Sequence, residues 1–267
     1  MALEFVWQHL GLDDEDAYAL YDFISSHRAY KNLVYKRPSG GSSNGYNTKQ
    51  SAGFDSKHPV DLVIAPAPST GVMKWAEDAN VELISKPVAY DALVFITHKN
   101  NPIESLTIEE VQDIFSGKIT NWQELGGDNT KIKAFQREEE SEIQAAIKEQ
   151  VMQDIPLIAP RMAKVKMASF NYIEEVAEYK NSKSSIGYTY RLYFDRFYAG
   201  QKIKMIPIAG VDPTDENIRS GSYPLSTTYN AVIRSEDQDK VGGKFMQWML
   251  SDEGQACIKQ AGYLPLR

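Results

Sequence analysis

Apolar positions along the chain follow two periods whose alternation predicts strands separated by helices. Continuous apolar runs at Val60–Ala65 and Ala92–Thr97 are typical of buried strands. Each run is followed by a segment that opens with a helix-capping residue. Ser69 is placed to cap one helix, and Thr107 with Glu110 matches the capping-box pattern. The pattern predicts an α/β protein.

The remaining elements continue this alternation. Two helices are predicted before residue 25, and the Gly-, Ser- and Asn-rich stretch from 37 to 58 is predicted to form a surface loop. Further strands are predicted at Lys131–Gln136, Ile186–Tyr190, Ile203–Ile208 and Tyr229–Arg234, and two final helices around Lys244–Leu250 and Asp252–Gln260. Alternation of this kind favours mainly parallel sheets, with ligand crevices beyond the carboxyl ends of the strands.

Composition excludes several classes of protein. The 267 residues carry a net charge of -7 without a long basic run, which argues against nucleic-acid binding. One cysteine, Cys257, cannot form an internal disulfide, and four scattered histidines lack metal-ligand spacing, so neither a metal nor a cofactor is expected. We find no apolar run long enough to span a membrane and no signal peptide in this sequence.

Two patterns that occur in enzymes are present in the sequence, but the elements predicted around them do not fit an active site. Gly41, Ser43 and Gly45 match the G-x-S-x-G pattern of hydrolases, but no predicted strand precedes them and no predicted helix follows. The run Glu138–Glu140 is typical of a solvated helix entrance rather than of an acid/base pair. We therefore expect no enzymatic activity.

Arg137 and Ser141 are the strongest candidates for binding chemistry. A predicted strand ends at Gln136, Arg137 follows at once, and Ser141 opens a helix whose first N–H groups favour anions. An arginine there would add a bidentate fork for phosphate or carboxylate. The alternative is that Ser141 and Gln144 form a capping box while Arg137 pairs with a neighbouring glutamate. Spacing alone leaves both interpretations open.

A resemblance to a known family favours the first interpretation. The stretches Asn101–Thr107 and Ile114–Trp122 closely resemble the corresponding stretches of phosphate ABC-transporter substrate-binding proteins, the PstS-like family of the type II periplasmic-binding-protein superfamily. The resemblance continues at Ala134–Arg137, Ser185–Tyr188, Ile218–Leu225, Ser251–Gln255 and Ala261–Tyr263. It covers nearly all of the chain from about Asp61 onward.

The family implies a bilobal periplasmic-binding-protein-like fold, in which two α/β lobes joined by crossing strands close on a dehydrated oxyanion. We predict that Tyr90–Thr97 and Leu225–Arg234 are the crossing strands. Residues 1–90 and 226–267 then form the first lobe, and residues 91–225 form the second. By this resemblance the ligand-binding residues are Ser25, Ser26, Ser69, Arg137, Ser141 and Gln144.

The chain departs from the family pattern at the ligand itself. The family usually places Ser-Gly and then Ser or Thr after the arginine, whereas here Glu142 and Ile143 follow Ser141. Ala67 stands where the family tends to carry an acidic acceptor for the proton of hydrogen phosphate. The family's first strand and anion loop are expected before the first helix, yet this sequence opens at that helix, and residues 37–58 look like an insertion.

Two functions follow from the resemblance. The first is an extracytoplasmic solute-binding protein, a monomer that delivers phosphate or another small anion to an ABC-transporter permease. The second is a degenerate binding-protein fold that acts as a sensor or protein-interaction domain without tight phosphate binding. The departures at Ala67 and Glu142 keep the second function open.

Overall fold

A computed structural model describes residues 26–35, 60–137, 141–159, 183–197 and 202–267. Several predictions lie outside the described residues: the two N-terminal helices, the loop at 37–58 with its G-x-S-x-G pattern, Glu138–Glu140 and Ser25. The backbone of Ser26 is described, but its side chain lies outside the description.

Helices and strands alternate along the described chain, as the apolar pattern predicts. The helices are α1 (Ser26–Val34), α2 (Thr70–Asp78), α3 (Ile108–Ser116), α4 (Glu142–Ala146), α5 (Arg191–Phe197), α6 (Asp215–Ser220), α7 (Val241–Met249) and α8 (Asp252–Gln260). The strands are β1 (Val63–Pro66), β2 (Leu83–His98), β3 (Lys133–Ala134), β4 (Ser185–Tyr190), β5 (Ile203–Ile206), β6 (Ser226–Arg234) and β7 (Leu264–Pro265). A π-helical segment, Ile147–Met152, continues α4 without a break. None of the helices in the described ranges is long and apolar enough to cross a bilayer.

The chain divides into two compact units. One consists of Met1–Ala89 with Tyr229–Arg267, and the other of Tyr90–Thr228. Strands β2 and β6 each contain residues of both units, so the chain passes from one unit to the other within these two strands. The chain therefore makes both passages in extended conformation.

In the first unit, β1 lies antiparallel to β6 and α1 packs against this pair. Val63 pairs with Val232 and Pro66 with Tyr229. The Tyr30 hydroxyl donates to the Pro66 carbonyl at 2.7 Å, which fixes α1 to the end of β1. The buried apolar core around this contact consists of Tyr30, Leu33, Val63, Ala65, Val72 and Val232.

In the second unit, β2 lies between β4 and β5 and is antiparallel to both. Strand β3 pairs with the other edge of β4, and this ladder is parallel. The prediction of mainly parallel sheets is therefore wrong for the described ladders. The physical reason is that β2 runs antiparallel to β4 and β5. Right-handed crossover connections join parallel strands, so they do not link β2 to these two neighbours.

Two helix caps that the sequence predicts are confirmed, and each depends on a side chain at the start of its own helix. The Ser69 hydroxyl accepts from the Val72 N–H at 3.3 Å and caps α2. Thr107 and Glu110 form the predicted capping box of α3. Strand lengths are less well predicted, because Lys131–Gln136 contributes only the two paired residues of β3.

Candidate functional site

The candidate site lies at the carboxyl ends of β3 and β4 in the second unit. Lys133 pairs with Ser185 in the parallel ladder, and the Phe135 N–H donates to the Ile186 carbonyl at 2.9 Å. Arg137 follows two residues later, beyond the end of β3. The strand thus delivers Arg137 to the edge at which α/β proteins bind ligands.

A buried glutamine fixes the backbone at Arg137. Gln144, in α4, is 3% exposed, and its carboxamide oxygen accepts from the Arg137 N–H at 3.1 Å. The hydroxyl of Tyr188 in β4 donates to the same oxygen and also accepts from the Arg137 N–H at 3.2 Å. Because Tyr188 is fully buried, these contacts tie the strand, the helix and the arginine together.

Ser141 does not cap its helix as a capping box requires. Its hydroxyl makes no capping hydrogen bond, and the Gln144 side chain turns instead to Arg137 and Tyr188. The predicted alternative of a Ser141–Gln144 capping box is therefore wrong. The first helical hydrogen bond runs from the Ala145 N–H to the Ser141 carbonyl at 2.9 Å. The N–H groups of residues 142–144 consequently have no acceptor within the helix, which favours an anion beside them.

Asp91 provides a buried carboxyl at the same edge of the second unit, although the sequence patterns did not indicate it as a site residue. Asp91, in β2, is 3% exposed, and its Oδ1 accepts from the N–H groups of Ala92 at 2.8 Å and Leu192 at 3.1 Å. Its Oδ2 is buried without a hydrogen-bond partner among the described residues. Burial raises the pKa of Asp91 to about 7, and the two N–H donors and the charge of Arg191 offset this only in part. The available sequence signal was an aspartate directly before a buried apolar run.

Arg191, the first residue of α5, forms ion pairs and a hydrogen bond with nearby residues of the same unit. Its guanidinium pairs with Asp195 and Asp215, each at 2.9 Å, and donates to the Pro213 carbonyl at 2.6 Å. These contacts satisfy several of its five donors. They assign Arg191 a structural role at the start of α5.

The candidates of the first unit are only partly described. Ser69 is half-buried at the start of α2, where its hydroxyl serves as the helix cap. Ser25 and the side chain of Ser26 lie outside the described residues. For these three serines, ligand contact remains a prediction.

A cavity of about 490 Å³ lies in the first unit. Glu77, Glu82 and Glu236 contribute three carboxylates to its lining, against the single guanidinium of Arg234. Arg234 pairs with Glu236 at 3.2 Å. This balance of charge disfavours an anion in the cavity. No group of three potential metal ligands occurs in the portion of the chain that the structure covers.

Comparison with known proteins defines the class to which this fold and edge belong. The chain belongs to the PBP superfamily, whose domain model matches residues 19–253. A crystal structure from Clostridium perfringens, with bound phosphate and assigned to the substrate-binding proteins of phosphate ABC transporters, aligns with a TM-score of 0.61 and 28% identity. That alignment covers 78% of this chain and 80% of the other. An ABC-type phosphate transport receptor from Vibrio cholerae aligns with a TM-score of 0.61 and 23% identity. The alignment covers 77% of this chain and 80% of the receptor, and it supports the fold alone.

Within the superfamily, the curated relatives are phosphate-binding proteins of the PstS type. The PstS of Borreliella burgdorferi is 26% identical over 67% of this chain and 64% of its own length. The PstS of Staphylococcus epidermidis is 29% identical over 72% of this chain and 59% of its own length. The chain thus spans about three-fifths of these relatives. The resemblance seen in the sequence and the bilobal fold class that it implies are confirmed.

Proposed function

We propose that this chain is an oxyanion-binding protein whose ligand is phosphate or a chemically similar anion. The observation that carries the proposal is the way Arg137 is held at the start of the 142–152 helical segment by Gln144 and Tyr188. An arginine fork beside outward-facing helical N–H groups provides charge and directed donors together. The relatives named phosphate-binding protein and the phosphate-bound Clostridium perfringens structure support this ligand class.

Within this proposal the residues have different roles. Arg137 and Ser141 contact the anion, and Gln144 acts as a positioning residue because its carboxamide oxygen already holds the Arg137 backbone. The division of the chain into two compact units supports the proposal that they act as the two lobes of a binding protein. The protein acts by binding rather than by catalysis, in an extracytoplasmic compartment, as a monomer that hands its ligand to an ABC-transporter permease.

A second function is favoured by two departures of this sequence from the family pattern. Glu142 directly follows Ser141, and Ala67 stands before Pro68 and Ser69, where the family resemblance implies an acidic residue. A carboxylate beside the anion adds repulsion, and a missing acceptor weakens the preference for protonated oxyanions. A sensor or protein-interaction domain that keeps this fold without tight phosphate binding would tolerate both changes.

Calorimetric titration with phosphate, sulfate and chloride tests the two functions against each other. We expect phosphate to bind weakly to the wild-type protein and Arg137→Ala to abolish this binding. Arg196→Ala, which removes an exposed arginine of α5 in the same unit, is the matched control and should leave binding unchanged. Phosphate binding that survives Arg137→Ala would overturn the site, and absence of anion binding in the wild type would favour the second function.

A further inference from the structure

Four strand ends meet at the edge of the second unit opposite Arg137. Strand β2 ends at His98, which pairs with Ile203 at the start of β5. Strands β3 and β4 begin at the same edge, where Lys133 pairs with Ser185. The topology therefore brings together segments that are far apart in the sequence: residues 98–104, 126–133, 183–185 and 202–204.

These segments carry six lysines. We call this surface the lysine edge, and its members are Lys99, Lys131, Lys133, Lys183, Lys202 and Lys204. Lys99, Lys131, Lys183 and Lys202 are exposed, whereas the other two are half-buried. The same segments contain two acidic residues, Glu104 and Asp128. The edge is thus strongly positive on a chain whose net charge is -7.

A buried histidine shows that three of these ammonium groups act on one region. His98 is 4% exposed, and its pKa is lowered first by burial and then by the positive charges of Lys202, Lys99 and Lys183. The pKa of a group between repelling charges falls because its protonated form becomes less favourable. The lysines therefore carry the positive charge of the edge.

Some of this charge is already compensated. Lys183 pairs with Asp128 at 3.3 Å, and the Lys204 ammonium donates to the Ile103 carbonyl at 2.7 Å. Because Lys183 and Asp128 are both about half exposed, water and salt weaken their attraction, and such a pair contributes little to stability. The Lys204 contact is to a neutral carbonyl and leaves the ammonium charged.

We propose that the lysine edge is a docking surface for a bilayer that carries anionic phospholipid. Lysines near such a surface are each attracted by roughly 1 kcal/mol, without specific geometry. Protein interfaces instead concentrate their binding energy in tryptophan, tyrosine and arginine. The described segments of the edge contain none of these three residue types. A diffuse, sequence-tolerant attraction to lipid headgroups fits this composition better than an acidic protein partner does.

The fold sets the orientation of the second unit on the bilayer. Strand β4 runs from Ser185, at the lysine edge, to Tyr190, at the Arg137 edge. Five residue steps of extended chain separate the two edges by about 17 Å. A bilayer bound at the lysine edge therefore leaves Arg137 accessible to solvent. Membrane docking and anion binding by the second unit are compatible.

Co-sedimentation with vesicles of phosphatidylcholine, with and without one quarter phosphatidylglycerol, tests the proposal. At low salt, about 0.05 M, we expect the intact chain to bind only the vesicles that contain phosphatidylglycerol. Binding should disappear near 1 M salt, where the screening length falls to about 3 Å. Binding to neutral vesicles, or no binding to anionic vesicles at low salt, overturns the proposal.

Two triple variants with equal changes in charge locate the surface. Lys99→Gln, Lys183→Gln and Lys202→Gln together should lower vesicle binding by about a hundredfold, which corresponds to the attraction of three lysines. Lys74→Gln, Lys244→Gln and Lys259→Gln, all exposed in the first unit, should leave it nearly unchanged. Equal losses in both triples would mean that net charge rather than the edge controls binding. Thermal unfolding establishes that each triple is folded, and the salt series on the wild type needs no variant.

Two competitors separate the sources of negative charge. Inorganic phosphate, added at constant ionic strength, should not displace the vesicles, because its proposed site is Arg137 at the opposite edge. Displacement by phosphate would place lipid headgroups in the anion site and overturn the proposal. Polyglutamate that binds the lysine edge when anionic vesicles do not would identify an acidic protein as the partner instead.

Discussion

The side-chain oxygen of Gln144 accepts a hydrogen bond from the backbone N–H of Arg137 at 3.1 Å. This contact joins a helix to the residue that follows a strand, across three residues, 138–140, that lie outside the description. The backbone of Arg137, the candidate anion-binding residue, is therefore held by a side chain that lies nearby in the sequence. Tyr188 adds a second constraint from the adjacent strand.

Removal of the Tyr188 hydroxyl should weaken anion binding as well as stability. Tyr188→Phe removes one of the two acceptors of the Arg137 N–H and one of the two donors to the Gln144 oxygen, so we expect a loss of about 0.5–1.5 kcal/mol in the free energy of unfolding. Tyr223→Phe is a matched control, because that buried hydroxyl donates to the Leu93 carbonyl at 3.1 Å. Both variants should lose stability in urea unfolding, but only Tyr188→Phe should lower phosphate affinity. Equal phosphate affinities would assign Tyr188 a purely structural role.

Phosphate affinity of the wild type should be low, and the charge at residue 142 should contribute to this. We expect binding in the millimolar range or weaker, because lost donors in a dry site cost roughly 1–3 kcal/mol each. Glu142→Gln should raise the affinity about tenfold by removing a negative charge directly after Ser141 in the sequence. Glu109→Gln, in the first turn of α3, is the control and should have no effect. Micromolar binding by the unmodified chain in calorimetry would contradict this prediction.

Asp91 should make stability depend on pH. Its pKa is raised to about 7 by burial, so between about pH 4 and pH 7 the folded chain holds a proton that the unfolded chain has lost. The free energy of unfolding should then fall as pH rises through this window, by up to about 1.4 kcal/mol per pH unit. Asp91→Asn keeps the acceptor for Ala92 and Leu192 and should remove this decline.

Urea unfolding between pH 5 and pH 8 measures the difference. Asp239→Asn, at an exposed position, should keep the wild-type pH dependence and serves as the control. A wild-type slope retained in Asp91→Asn would show that other groups produce it. We expect the free energy of unfolding of the wild type to fall between pH 5 and pH 8, and that of Asp91→Asn to stay nearly constant.

Two helix-terminal glycines should respond differently to alanine. Gly117 and Gly221 both end helices with positive φ, 83° and 72°, which costs a residue with a Cβ about 1 kcal/mol. A Cβ at Gly117 would also lie 2.5 Å from Cγ2 of Ile158, whereas nothing lies within 4 Å at Gly221. We expect Gly117→Ala to be more destabilising by about 1–3 kcal/mol in thermal unfolding. Similar losses at both positions would show that Ile158 moves aside freely.

Much of the local structure follows from short-range chemistry and could be predicted from the sequence. Ser69 and Thr107 cap helices because their hydroxyls accept from N–H groups three residues further on, and the Glu110 carboxylate accepts in return from the Thr107 N–H. The apolar runs around Ala92 and Tyr229 became long strands because each buries side chains on both faces. The family is indicated by the motif residues of Asn101–Thr107 and Ile114–Trp122 and not by hydrophobic period or charge.

The tertiary structure decided what the short-range signals left open. Ser141 and Gln144 have the spacing of a capping box, but Tyr188, distant in sequence, offers a buried hydroxyl that draws the Gln144 carboxamide towards Arg137. Strand direction was also undetermined, since apolar period is the same for parallel and antiparallel pairing. The raised pKa of Asp91 and the assembly of the lysine edge depend on residues about a hundred positions apart. Such properties arise from burial and strand pairing, and those exist only once the chain has folded.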